Sequence, residues 1–131
     1  MLKPAAFAVA AAMTAVLALP AGAQDHSRTE RVQFARGASS ATLHGYDTVD
    51  YVLGARRGQT LNVRLQPTNA SAYFNVTKQG ADEALFIGST SGSQFSGQLP
   101  ANGDYVVRVY LMRNAARRDE HANYSLTVGV R

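Results

Sequence analysis

Arg113-Asn114-Ala115-Ala116-Arg117-Arg118 sets three guanidinium groups within six residues, directly after the alternating run Tyr105-Val106-Val107-Arg108-Val109-Tyr110-Leu111. A guanidinium fork donates two parallel hydrogen bonds to a carboxylate and never loses its charge. Three of them just past a strand end fit an element that docks on an acidic site of another molecule. In a helical turn Arg113 and Arg117, four residues apart, stand side by side with about 5–6 Å between their Cβ atoms. Asn114 is suited to hold such a turn through backbone hydrogen bonds. Ala115 and Ala116 keep the element slim enough to enter a groove. Arg118 is a further basic neighbour, and Asp119-Glu120 can neutralise part of the charge locally. The competing reading is a solvated charged loop. A second candidate is Gly45-Tyr46-Asp47, in which Gly permits a turn, Asp braces it and Tyr46 is left as an amphipathic anchor. A tyrosine that merely packs the turn is the alternative there.

Catalytic chemistry finds little to work with. His26, His44 and His121 are isolated from one another and have no metal-site spacing. Gly88-Ser89-Thr90-Ser91-Gly92 has Thr where a hydrolase elbow needs its nucleophile, so a flexible polar loop is expected. The carboxylates Asp47, Asp50, Asp82, Glu83, Asp104, Asp119 and Glu120 show no spacing that selects a glycosidase pair, and they read as solvated turn residues. With no Cys in the chain, thiol catalysis, thiolate metal sites and disulfides are excluded. No catalytic residue, metal site or cofactor site is assigned.

The elements that must position the arginines carry period-2 patterning. Val32 and Phe34 begin a short strand. Alternating runs then follow at Val49–Leu53, Leu61–Leu65, Tyr73–Val76, Ala84–Ile87, Gln94–Leu99, Tyr105–Leu111 and Tyr124–Val130. Turn residues separate them, with Asn102-Gly103 the strongest hairpin signal and Arg56-Arg57 placed at another hairpin tip. About eight short strands without an amphipathic helix predict an all-β chain, a single antiparallel β-sandwich or small barrel. Only the stretch from Arg113 to His121 could host a helical turn.

Residues 1–23 are set apart. Lys3 gives a positive start, Ala5 to Leu19 is apolar except for Thr14, and Pro20-Ala21-Gly22-Ala23 ends in small residues. That is a cleavable signal peptide, with cleavage expected between Ala23 and Gln24. Its apolar run of about 15 residues is shorter than the roughly 20 that span a bilayer. Residues 24–131 then form one domain, large enough to build a core without disulfides. Losing Lys3 lowers the net charge of +4 to +3, a mild preference for an anionic partner. Export also takes the chain away from nucleic acid.

An ordered set of segments then becomes recognisable. It comprises Phe34-Ala35-Arg36-Gly37-Ala38-Ser39-Ser40-Ala41, Gly45-Tyr46-Asp47 with Tyr51, Gly58-Gln59, Leu99-Pro100-Ala101 with Gly103 and Tyr105, and Arg108-Val109 followed by Arg113-Asn114-Ala115-Ala116-Arg117. Across nearly the whole mature region the chain resembles the periplasmic inhibitors of g-type (goose-type) lysozyme of Gram-negative bacteria. The resemblance implies a non-enzymatic β-sandwich that needs no cofactor, is exported to the periplasm or secreted, and binds a lysozyme rather than nucleic acid or membrane. It further implies that loops enter the lysozyme's substrate cleft, with Tyr46, Arg113 and Arg117 at the positions that do so. Asn114 and Arg118 are their neighbours. Between Ala41 and Gly45 the chain is shorter than the family pattern. A non-catalytic carbohydrate- or protein-binding sandwich module of secreted proteins is the alternative.

Overall fold

A computed structural model describes residues 28–131; the expected signal segment, its expected cleavage site and His26 lie outside the described residues. Among the described residues nine strands and two single-turn helices follow one another. They are β1 (Arg28–Arg31), β2 (Ser40–Tyr46), β3 (Val49–Ala55), β4 (Thr60–Pro67), β5 (Ala72–Lys78), β6 (Phe86–Ile87), α1 (Gly88–Ser91), β7 (Gln94–Gln98), β8 (Gly103–Leu111), α2 (Arg113–Arg117) and β9 (Asn123–Val130). They form a five-stranded sheet of order β1-β3-β8-β5-β6 and a four-stranded sheet of order β2-β9-β4-β7. The expected β-sandwich is present.

The core follows from the alternation. Val49, Tyr51 and Leu53 of β3, Phe74 and Val76 of β5, and Tyr105, Val107 and Val109 of β8 line one inner face. Leu61, Val63 and Leu65 of β4 and Tyr124, Leu126 and Val128 of β9 line the other. Every second side chain of these strands is buried, as a half-buried sheet requires. On the outer face of the larger sheet, Arg108 grips Asp50 with two bonds, Nε at 2.6 Å and Nη2 at 2.8 Å, across a directly paired position of β3 and β8. Asp50 is therefore a strand residue in an ion pair, not a solvated turn carboxylate.

Several local expectations are corrected. Among the consecutive strands of the described residues only β5 and β6 pair with each other; every other connection there crosses from one sheet to the other. Asn102-Gly103 is thus no hairpin turn, since β7 pairs with β4 while β8 pairs with β3 and β5. Its Asn fits the crossing for a different reason: Asn102 Oδ1 accepts the Arg57 N–H at 2.8 Å, tying two crossovers together. Arg56-Arg57 likewise caps a sheet-to-sheet crossover. The first strand is β1, upstream of Val32, and it runs parallel to β3; Val32 extends that contact by donating its N–H to Val52 O at 2.8 Å. β2 went unpredicted because its inward positions, Ala41, Leu43 and Gly45, are small or only half-buried. The segment at Gly88–Ser91 closes one helical turn, with Gly92 N–H bonded to Gly88 O at 2.9 Å.

Candidate functional site

Because β2 leads into β3 and β8 into β9 by crossing between sheets, the turn at Tyr46–Thr48 and the segment from Met112 to Ala122 meet at one end of the sandwich. Backbone and side chain of Asp47 join them. Its N–H donates to Ala122 O at 2.9 Å, and its Oδ1 accepts the Ala122 N–H at 2.9 Å. Its Oδ2 lies 2.8 Å from His121 Nδ1. A carboxylate only accepts, so Nδ1 carries the proton of that bond. Asp47 itself has φ 54°, in the left-handed region that Asp tolerates better than most side chains. The brace expected of Asp47 is present. The positive φ falls on Asp47 rather than on Gly45.

Gly45 serves space instead. It is a strand residue paired with Tyr124, and a Cβ there would fall on the Tyr51 hydroxyl and 2.5 Å from Tyr124 Cε1 and Cζ. Beneath it the two tyrosines pack edge to face, with ring centroids 6.4 Å apart and their hydroxyls at 3.0 Å. Tyr124 Oη donates to Asp47 O at 3.2 Å, so Tyr51 is the donor in the hydroxyl pair. Burial, before any other cause, pushes both phenols above their ordinary range and keeps them as neutral donors. Tyr124→Phe is expected to cost about 1–2 kcal/mol in denaturant unfolding, because it orphans the buried Tyr51 hydroxyl. Tyr51→Phe, which leaves Tyr124 bonded to Asp47, should cost less. Equal losses would contradict this direction of donation.

The turn rests on that base and presents Tyr46, 44% exposed, to solvent. Its ring stacks on His121, with centroids 5.5 Å apart and planes inclined by 16°. A cleft of about 380 Å³ separates this turn from α2, with Tyr46, Asp47, Ala116, Asp119 and His121 among its walls.

α2 is a helical turn over the expected residues, but the expected brace is absent. Asn114 is exposed, and the helix has no side-chain cap at its start. Backbone geometry ends it: Arg118 caps, Asp119 takes φ 56°, the Asp119 N–H donates to Ala116 O at 3.1 Å and the Glu120 N–H to Ala115 O at 3.0 Å. That is the Schellman arrangement with Asp in place of the usual Gly. Ala115, 1% exposed, seats the turn on the sandwich, so one of the two alanines is an anchor rather than a slimming device. Asn69, in the β4–β5 crossover, donates from Nδ2 to Glu120 Oε1 at 3.0 Å and accepts the Ser71 N–H on Oδ1 at 2.8 Å. The Asn69 amide first, then Arg118, holds the Glu120 carboxyl below its ordinary range.

The three arginines consequently differ. Arg118 is drawn back onto Glu120, Nε to Oε2 at 2.7 Å. Arg113 and Arg117 stand exposed on the outer side of α2, and no ion pair to either is found among the described residues. Met112 beside them is 41% exposed. His121 and Asn69 escaped the sequence reading because their partners are distant in the chain: Asp47 lies 74 positions from His121, and Asn69 lies 51 from Glu120. Among the described residues no group of three or more His, Cys, Asp or Glu is arranged to hold a metal ion.

Comparison with known proteins bears on this arrangement. Over 109 residues the chain is 32% identical to the inhibitor of g-type lysozyme of Escherichia coli K12, a match covering 76% of this chain and 79% of that relative. The chain belongs to the family of g-type lysozyme inhibitors. A solved member, the periplasmic lysozyme inhibitor of g-type lysozyme from Aeromonas hydrophila, is 41% identical with a TM-score of 0.74, covering 80% of this chain and 97% of the other. The pre-peptidase C-terminal domain of a Bacillus anthracis collagenase shares the sandwich at 10% identity and TM-score 0.53, covering 85% of this chain and all of the other; it shares the fold alone. No protein-family profile matches the chain. The family membership thus separates this inhibitor from the secreted binding modules that its strands also resemble.

Proposed function

We propose that the mature chain, residues 24–131 after removal of the signal peptide, is a periplasmic inhibitor of g-type lysozyme that lodges α2 and the Tyr46 turn in the enzyme's substrate cleft. The observation that carries this mechanism is the pair of guanidinium groups on α2. Arg113 and Arg117 are exposed, have no ion-pair partner among the described residues, and ride on a helical turn whose Ala116 faces an exposed, braced tyrosine across a cleft. A lysozyme cleft presents carboxyl groups in a concavity shaped for sugar. Either arginine can clamp such a carboxylate with two bonds, and the partner's walls keep water out. Desolvating the pair opposes binding unless the geometry is good, which favours a short, seated helical turn over a loose loop. Tyr46 and Met112 add apolar area beside the charges. Asn114, on the same exposed turn, is placed at the rim, and Arg118 supports α2 through Glu120.

Nanomolar inhibition corresponds to about −12 kcal/mol. Two arginines cannot supply that alone, so a standard interface burying about 1,600 Å² in total must surround them. The inhibitor acts by occupancy, without turnover, cofactor or metal. Titrating a g-type lysozyme with residues 24–131 is expected to abolish lysis of a bacterial wall suspension near equimolar ratio. A c-type enzyme run in parallel reports selectivity. Undiminished lysis at large excess overturns the proposal, and release of products from peptidoglycan fragments by the chain alone overturns its non-enzymatic part. Tyr46→Ala should weaken inhibition about 10- to 30-fold, as expected for a rigid aromatic anchor lodged in the cleft beside the arginines. An unchanged inhibition constant would move Tyr46 out of the contact.

A further inference from the structure

We infer that His121 is a positioning residue for inhibition, acting through Tyr46; this rests on the cleft-insertion reading and deepens it. An exposed tyrosine on a two-strand turn ordinarily samples several rotamers, and an interface that uses one of them must first order it. Here one side of the ring is covered by His121, near-parallel at 5.5 Å. The imidazole is in turn fixed by Asp47 Oδ2 at 2.8 Å, while the same carboxylate's Oδ1 and the Asp47 backbone grip Ala122. Two adjacent residues of the β8–β9 connection thus hold two adjacent residues of the β2–β3 turn, one pair through rings and the other through the backbone. Beside that contact Tyr46 stays 44% exposed and so within reach of a partner. Since His121 lies at the end of the segment that begins with α2, the contact also fixes the tyrosine relative to the arginines.

The test is a double-substitution cycle read by dissociation constant against a g-type lysozyme. His121→Ala in the parent chain is expected to weaken binding about 3- to 10-fold, the effect of having to immobilise one side chain on association. In a Tyr46→Ala background the same substitution should change binding less than about twofold. His121→Phe, which keeps a ring but loses the Asp47 bond, should fall between parent and His121→Ala. Equal losses from His121→Ala in both backgrounds overturn the inference, because they mean direct contact with the enzyme or general loosening of the fold. A His121→Phe variant as weak as His121→Ala overturns the stacking argument. The free chain gives a readout independent of any lysozyme: the His121 ring protons should be shifted upfield by Tyr46, and that shift should vanish in Tyr46→Ala. A chain that shows the shift but does not inhibit overturns the functional reading alone; a chain that inhibits without the shift overturns this one.

Discussion

Arg113→Ala and Arg117→Ala are each expected to weaken inhibition of a g-type lysozyme by about 2–5 kcal/mol, seen mainly as faster release. At 1.4 kcal/mol per tenfold, that is a loss of roughly 30- to several thousand-fold. The size follows from what is left behind. In the free chain neither guanidinium has an ion pair among the described residues, so removing one forfeits no internal salt bridge. In the complex the partner carboxylate remains desolvated without its donor, which is the costly half of a broken buried pair. Unfolding free energies should accordingly stay within about 0.5 kcal/mol of the parent while inhibition collapses. Arg118→Ala is the internal control. Its guanidinium is spent on Glu120, with side-chain exposures of 61% and 33%, so its loss should barely alter binding. Arg117→Lys should recover little, because an ammonium cannot reproduce the fork. If both alanine variants inhibit like the parent, α2 does not enter the cleft, even where inhibition itself is real.

The strands were legible because period-2 burial needs only local sequence: Leu61, Val63 and Leu65, or Tyr105, Val107 and Val109, announce one buried face without reference to any partner. Pairing was not legible. Asn102-Gly103 carries the chemistry of a tight turn equally well whether its flanking strands pair with each other or enter opposite sheets, and here Asn102 holds Arg57 across a crossover. α2 was readable as a helical turn, but its support was not. Ala115 looked like a spacer, and the capping is done by backbone bonds with Asp119 in the left-handed region. Of the candidate site, Tyr46, Asp47, Arg113 and Arg117 stood out by residue type. His121 looked like an isolated surface histidine because a contact spanning 74 residues leaves no trace in a window of ten.

Gly45→Ala is expected to destabilise the chain by about 2–4 kcal/mol, lowering the thermal midpoint by roughly 10–20 °C. A strand glycine exchanged for alanine usually gains a little, because the unfolded chain loses freedom. Gly45 reverses that sign through its neighbours. The new Cβ would clash with the Tyr51 hydroxyl and press on the Tyr124 ring, and both tyrosines are buried in the core. To make room, the pair must part, which breaks the 3.0 Å hydroxyl bond and strands a buried donor, adding about 1–3 kcal/mol to the packing strain. Tyr124 also donates to Asp47 O, so its displacement loosens the turn that carries Tyr46, and inhibition should weaken beyond the loss of folded protein. Combining Gly45→Ala with Tyr51→Phe removes the nearest clashing atom, and the two losses should therefore be less than additive by more than about 0.5 kcal/mol. Strict additivity, or a Gly45→Ala chain that melts and inhibits like the parent, would mean that the turn is not built on the tyrosine pair.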